Sequence, residues 1–225
     1  MPCLDGYDPG DFFDELFIAM GTPRPAAAEL VKRIESLSIE ELQRRQQAAQ
    51  NMLFKLGVTI NVNSDNQGTE RIIPFDVIPR FVPYQEWELL ERGLKQRIEA
   101  LNCFIHDIYN DQKILNDKVI PREMIESATG FLKPCMGLQP PQNIWCHITG
   151  TDLIKDRDGS WYVLEDNLRC PSGVSYVLEN RRVMKSSFPR FFDALDIQPV
   201  DDYASQQLET LLNLAPAILS DPCLV

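Results

Sequence analysis

Apolar residues recur at three- and four-residue steps over most of the chain and alternate with polar ones in only a few short stretches. "PGDFFDELF" and "PRPAAAELVKRIESL" predict short helices, the second opened by prolines that suit a first helical turn. Ser38 and Glu41 have the spacing of a capping box, and the helix that follows runs through "IEELQRRQQAAQNMLFKL" to a left-handed stop at Gly57. Val58, Ile60 and Val62 then alternate with Thr59 and Asn61 as a half-buried strand does. "NSDNQGT" supplies turn residues before a second strand, "ERIIPF". Pro79 and Pro83 make "FDVIPRFVPY" an extended connector. Trp87, Leu90, Leu94, Ile98, Leu101, Ile105 and Ile108 predict the longest helix, over residues 84–110, with one packed face. A loop with a short helix and an irregular proline-bearing segment lead to the strand "IWCHITGTDLI" and a hairpin, and "VSYVLENRRVM" and "YASQQLETLLNLAP" read as helices. The pattern predicts an α+β fold, a mostly antiparallel sheet with flanking helices, divided into a helical segment 1–57 and an α+β part 58–225.

Composition narrows the partners. The chain has 225 residues, 44% of them hydrophobic, enough for a core in one large domain or two small ones. Its net charge of -11 repels nucleic-acid phosphates and anionic lipid, so neither is an expected partner. No stretch approaches the roughly 18 consecutive apolar residues of a membrane helix, and the N-terminus is acidic where a signal peptide is basic. A cytoplasmic location is the expectation. The cysteines, at positions 3, 103, 135, 146, 170 and 223, have no zinc-knuckle or redox spacing and read as reduced, mostly buried thiols. Cys170 stands inside the most chemical stretch of the chain, but nothing basic and titratable lies beside it to lower its pKa.

That stretch is "GTDLIKDRDGSWYVLEDNLRCPSG", residues 150–173. "DRDG" has the composition of a tight reversal, and Asp158-Gly159 tolerates positive φ. If Lys155 faces Ser160, Asp152 lies opposite Val163, and Asp152, Glu165 and Asn167 project from one face. A slip of one residue separates Asp152 from the other two. Three converging oxygen donors suit a hard cation such as magnesium, while the thiols and imidazoles that zinc prefers are missing from that face. The alternative is structural: Asp152 caps a strand, Glu165 is solvated and Asn167 starts a turn. An EF-hand reading of "DRDG" fails on its strand flanks and on the missing bidentate acid.

An Asp, about a dozen residues, then Glu-x-Asn on the second strand of a hairpin, followed by Pro-Ser-Gly, resembles the magnesium-binding end of ATP-grasp ligases. With "HITGTDLIKDRDGSWYVLEDNLRCPSGVSYVLENR", "PFDVIPR" and "GLKQRIEALNCFIHDIY", the chain from about residue 15 resembles the N-terminal half of circularly permuted ATP-grasp proteins, type 2, relatives of glutathionylspermidine synthase. The resemblance implies part of an ATP-dependent carboxylate–amine ligase that works through an acyl phosphate, with Mg2+ and ATP as cofactors. Asp152, Glu165 and Asn167 match the metal ligands. Arg169 is the implied cation for phosphoryl oxygens, and Ser172 and Gly173 offer backbone N–H groups at a helix start. Arg169 could instead pair with Asp166, and Ser172 could be a plain N-cap. Arg80 and His106 fall in shared phrases and are weaker candidates, while His147 reads as structural. Gly150 departs from the family, which often carries a basic residue two positions before this Asp. "DPCLV" reads as the start of a strand, so the expectation is a chain truncated before the nucleotide-binding lobe, a fragment or one half of a split enzyme, with the lobe supplied by the rest of a longer protein or by a complementary C-terminal chain. The competing class is a non-catalytic binding or scaffold module.

Overall fold

The structure, a computed structural model, describes residues 4–62, 69–169 and 171–215. The first expected helix is absent, because the Asp14 carboxylate accepts the Leu16 and Phe17 N–H groups at 2.8 and 2.7 Å and bends the chain there. A small antiparallel pair follows, β1 (Phe17–Ala19) and β2 (Thr22–Pro23). Helix α1 (Ala28–Glu35) comes next, entered through a proline-led turn at Pro25–Ala27. Helix α2 (Ile39–Lys55) begins as expected: the Ser38 hydroxyl accepts the Glu41 N–H at 3.2 Å. Glu41 itself turns to Arg44 and Arg45, and Gly57 at φ 71° stops the helix. Strands β3 (Thr59–Val62) and β4 (Thr69–Ile72) pair antiparallel with Thr59 opposite Ile72, and residues 73–83 are an extended connector.

The long helix α3 (Tyr84–Tyr109) matches the periodicity, but only Ile108 and Tyr109 on it are buried. Two short helices follow, α4 (Lys113–Asn116) and α5 (Arg122–Glu126). The expected strand from Ile144 starts only at Gly150, because the backbone N–H groups of Trp145 and Cys146 are both taken by the Asn102 side chain, at 2.8 and 2.9 Å. Strands β5 (Gly150–Lys155) and β6 (Trp161–Asn167) form a hairpin. Helices α6 (Val174–Ser187), α7 (Pro189–Ala194) and α8 (Tyr203–Leu214) complete the described chain. Among the described residues the sheets are three separate two-stranded ribbons rather than one larger sheet. No described helix is long and apolar enough to cross a membrane. The proposed terminal strand at "DPCLV", the "NSDNQGT" turn and Cys170 lie wholly or largely outside the described residues.

Two compact units result. The first comprises residues 1–83, 154–162 and 172–203. Its core joins Ala49 and Leu53 of α2 to Val58 and to Val183 of α6, and separately Leu30 and Ile34 of α1 to Phe191 of α7. Gln46 clamps the connector, donating to the Phe75 carbonyl and accepting the Val77 N–H. The tip of the hairpin belongs here: the Lys155 ammonium lies 3.9 Å from the centre of the Phe13 ring and 5.2 Å from that of Trp161. The second unit comprises residues 84–153, 163–171 and 204–225. Its centre is an aromatic stack in which Tyr109 lies between Trp145, at 4.8 Å, and Phe131, at 5.1 Å. The Tyr109 hydroxyl accepts the Leu132 N–H, and Leu115 of α4 is also buried in this unit.

Candidate functional site

The hairpin reversal is tighter than the expected one. The Asp156 N–H donates to the Ser160 carbonyl, the Gly159 N–H donates to the Asp156 carbonyl, both at 2.9 Å, and Gly159 sits at φ 83°. This is a three-residue loop ending in a left-handed glycine, so Ser160 faces Asp156 and not Lys155. Carried down two regular strands, that pairing sets Asp152 opposite Leu164 and turns Glu165 to the other face.

The base of the hairpin has a different register. A Cβ on Gly150 would stand 3.9 Å from the Cβ of Asn167, and the Thr151 hydroxyl donates to Asp166 Oδ1 at 3.0 Å. Six steps of chain separate Gly150 from Asp156, and seven separate Ser160 from Asn167. Strand β6 therefore carries one extra residue, a β-bulge. The exposure pattern puts it at Leu164–Glu165, two successive exposed positions between half-buried Val163 and Asp166. The bulge restores what the shifted turn removes: Asp152, Glu165 and Asn167 are all exposed, while Thr151, Leu153, Val163 and Asp166 are covered. Ile154, Tyr162 and Leu164 of the hairpin are also exposed.

Asp166 is the best-anchored carboxylate of the hairpin. Arg97 of α3 donates to its Oδ2 through two nitrogens, at 2.8 and 2.7 Å, and Thr151 holds the other oxygen. The Arg97 guanidinium, and then the Thr151 hydroxyl, hold this carboxyl below the usual range although partial burial opposes them. The alternative pairing of Asp166 with Arg169 is thereby corrected. Among the described residues the Arg169 guanidinium has no ion-pair partner, and its backbone N–H donates to Asn167 Oδ1 at 3.2 Å. Asn167 thus starts a turn, as the structural alternative expects, and keeps a second lone pair on that oxygen. In the first unit, Gly173 at φ 103° is the N-cap of α6, with no side-chain cap. The plain N-cap reading of Ser172 is corrected for that reason: the left-handed glycine takes the cap position.

Arg80 pairs with Glu15 at 2.5 Å in the first unit. His106 Nδ1 accepts the Trp145 indole N–H at 3.3 Å, which assigns its remaining proton to Nε2. His147 precedes β5 and is exposed. Both histidines, with Cys103, Cys146, Lys95 and Asp107, line an open cavity of about 950 Å3 in the second unit. Burial pushes the Cys146 thiol up. Among the described residues no three His, Cys, Asp or Glu side chains are grouped to hold a metal. Sequence reasoning missed Arg97, whose spacing on α3 looks like any solvated position. It missed Thr151 because the assumed register put that residue opposite Leu164.

Residues 79–225 match the sequence model of the family described as circularly permuted ATP-grasp type 2. An uncharacterized Synechocystis protein is 60% identical over 222 residues, covering 99% of this chain and 46% of the relative. An uncharacterized Mycobacterium tuberculosis protein is 42% identical over 224 residues, covering 98% of this chain and 40% of its own length. The chain thus spans less than half the length of these relatives. A Frankia alni protein named "Putative glutamate--cysteine ligase 2-3" is 36% identical over 188 residues, 83% of this chain but 21% of that protein.

Proposed function

Since the chain belongs to the circularly permuted ATP-grasp type 2 family, we propose that it is part of an ATP-dependent carboxylate–amine ligase, its metal-binding end being the β5–β6 hairpin. In the proposed reaction the γ-phosphoryl group of ATP passes to a carboxylate oxygen and ADP leaves. The amine nitrogen then attacks the acyl carbon of the acyl phosphate, phosphate departs with its C–O electron pair, and the nitrogen loses a proton to give the amide. The observation that carries the reading is the bulge, which leaves Asp152, Glu165 and Asn167 exposed together on the hairpin of a chain from this family. Two carboxylates and an amide oxygen, open to solvent, fit a hard cation that keeps water and phosphate ligands. Magnesium bound there would offset negative charge on the transferring phosphoryl oxygens.

The protein's own groups have distinct proposed tasks. Asp152 and Glu165 supply the anionic oxygens, and Asn167 adds a neutral one while its turn holds the backbone toward Arg169. Arg169, without an ion-pair partner among the described residues, is suited to hold two phosphoryl oxygens through its planar fork. Ser172 and Gly173 precede the first turn of α6, where backbone N–H groups favour an anion. A carboxylate and an amine as substrates agree with the name of the Frankia relative, although the matched stretch is only 21% of that protein. Kinship with glutathionylspermidine synthase, and so a polyamine acceptor, is the finer form of the same proposal. The remainder of the relatives' length, supplied in the same polypeptide or as another chain, would complete the site.

One observation favours a second reading, a non-catalytic binding module: Ile154, Tyr162 and Leu164 of the hairpin expose apolar side chains. ADP release separates the two. The chain combined with the remaining polypeptide of the Synechocystis relative should release ADP only with magnesium and an amine acceptor, and Glu165→Ala should lower the rate about a hundredfold. No turnover by the wild-type pair, or equal turnover by Glu165→Ala, would defeat the ligase reading.

A further inference from the structure

Among the described residues, Arg97 and Asp166 form an ion pair between elements distant in sequence, as Arg80 and Glu15 also do, and its carboxylate is the more covered of the two. Several of the rest join residues three or four apart on one helix face. This one joins α3 to β6 across 69 positions of sequence, and the Asp166 side chain is only 10% exposed. Both carboxylate oxygens are occupied, Oδ2 by two Arg97 nitrogens and Oδ1 by the Thr151 hydroxyl. A bulge is held in place by whatever fixes the side chain next to it, since the ladder on either side accepts more than one position for the extra residue. Asp166 is that side chain, standing directly after Leu164–Glu165.

We infer that Arg97 is a positioning residue for the oxygen donors of the hairpin: its two-nitrogen grip on Asp166 pins the β6 bulge and so keeps Glu165 and Asn167 on the side of Asp152. The inference rests on the metal-site reading above and adds to it a residue that touches no ligand. Successive side chains on a strand point to opposite faces, so anchoring Asp166 inward turns both of its neighbours outward. Without the anchor, β6 can relax to regular alternation from the tip, and that register carries Glu165 to the covered face beside Thr151. The geometry also makes arginine the specific choice. Lysine would place one nitrogen near Oδ2 where arginine places two in a fixed plane, so it would hold the charge but not the angle.

The test uses Mn2+ as a paramagnetic substitute for magnesium, its free concentration read by electron paramagnetic resonance in titrations of wild type, Arg97→Ala, Arg97→Lys and Glu165→Ala. Arg97→Ala should weaken Mn2+ binding between about tenfold and a hundredfold, the range for residues that orient metal ligands. Arg97→Lys should recover part of the loss, and Glu165→Ala should remove binding. Hydrogen exchange in the metal-free protein is the second readout: in Arg97→Ala the amides of residues 164–167 should exchange faster while those of α2 are unchanged, which separates local loosening from failure to fold. Wild-type affinity in Arg97→Ala, with binding lost in Glu165→Ala, would overturn the inference and leave the metal site standing. Wild-type affinity in Glu165→Ala would overturn the site itself, and the inference with it.

Discussion

A Cβ at position 150 would stand 3.1 Å from the Cβ of Pro171, closer than side chains normally approach. Gly150→Ala should therefore destabilise the protein by about 1 kcal/mol through overpacking, measurable as a lower urea midpoint. The same contact means that any side chain at position 150 would compete with Pro171 for space. The cysteines of the second unit give a chemical prediction at this scale. Burial raises the Cys146 thiol, whereas Cys103 is exposed, so iodoacetamide at pH 8 should alkylate Cys103 first. Mass spectrometry showing Cys146 modified first would contradict the packing around Trp145.

Among the elements, those with local causes were legible. Ser38, the apolar spacing of α2 and Gly57 together set one helix from start to stop, and Ser38→Ala should cost about 1 kcal/mol of stability in a denaturation curve. Glu41 adds a pH signature to that helix. Arg44, then Arg45, hold its carboxyl below the usual glutamate range, so folding lowers this pKa. Its contribution is present above the ordinary glutamate range and disappears as the pH falls through the lowered value. In carboxyl NMR titrations, Arg45→Ala should move the Glu41 midpoint upward; an unchanged midpoint would remove that pair from the account of α2. The hairpin was legible as a hairpin but not in its register, because "DRDG" permits a three- or a four-residue closure and only the Asp156–Ser160 hydrogen bond decides between them. The bulge could not be read at all. Its cause is a contact from α3, distant in sequence, and periodicity carries no record of such contacts. "PGDFFDELF" misled for the opposite reason: its apolar spacing is helical, but one Asp14 carboxylate closes a turn across it.

For the whole molecule, a net charge of -11 and a length under half that of its relatives shape what can be asked of it. The family is established over residues 79–225, and the proposed ligase activity would draw on more of the relatives' length than this chain spans. Ile154, Tyr162 and Leu164 of the hairpin are exposed apolar side chains. Light scattering should accordingly show the isolated chain self-associating, and association should diminish when the remaining polypeptide of the Synechocystis relative is added. A clean monomer on its own would count against that surface being an interface. The most direct test locates the ion. In NMR spectra of the labelled chain, substoichiometric Mn2+ should broaden the signals of Asp152, Glu165 and Asn167 before all others, and excess Mg2+ should restore them. Broadening centred elsewhere, with those three residues untouched, would contradict the assignment of the hairpin as the metal-binding end.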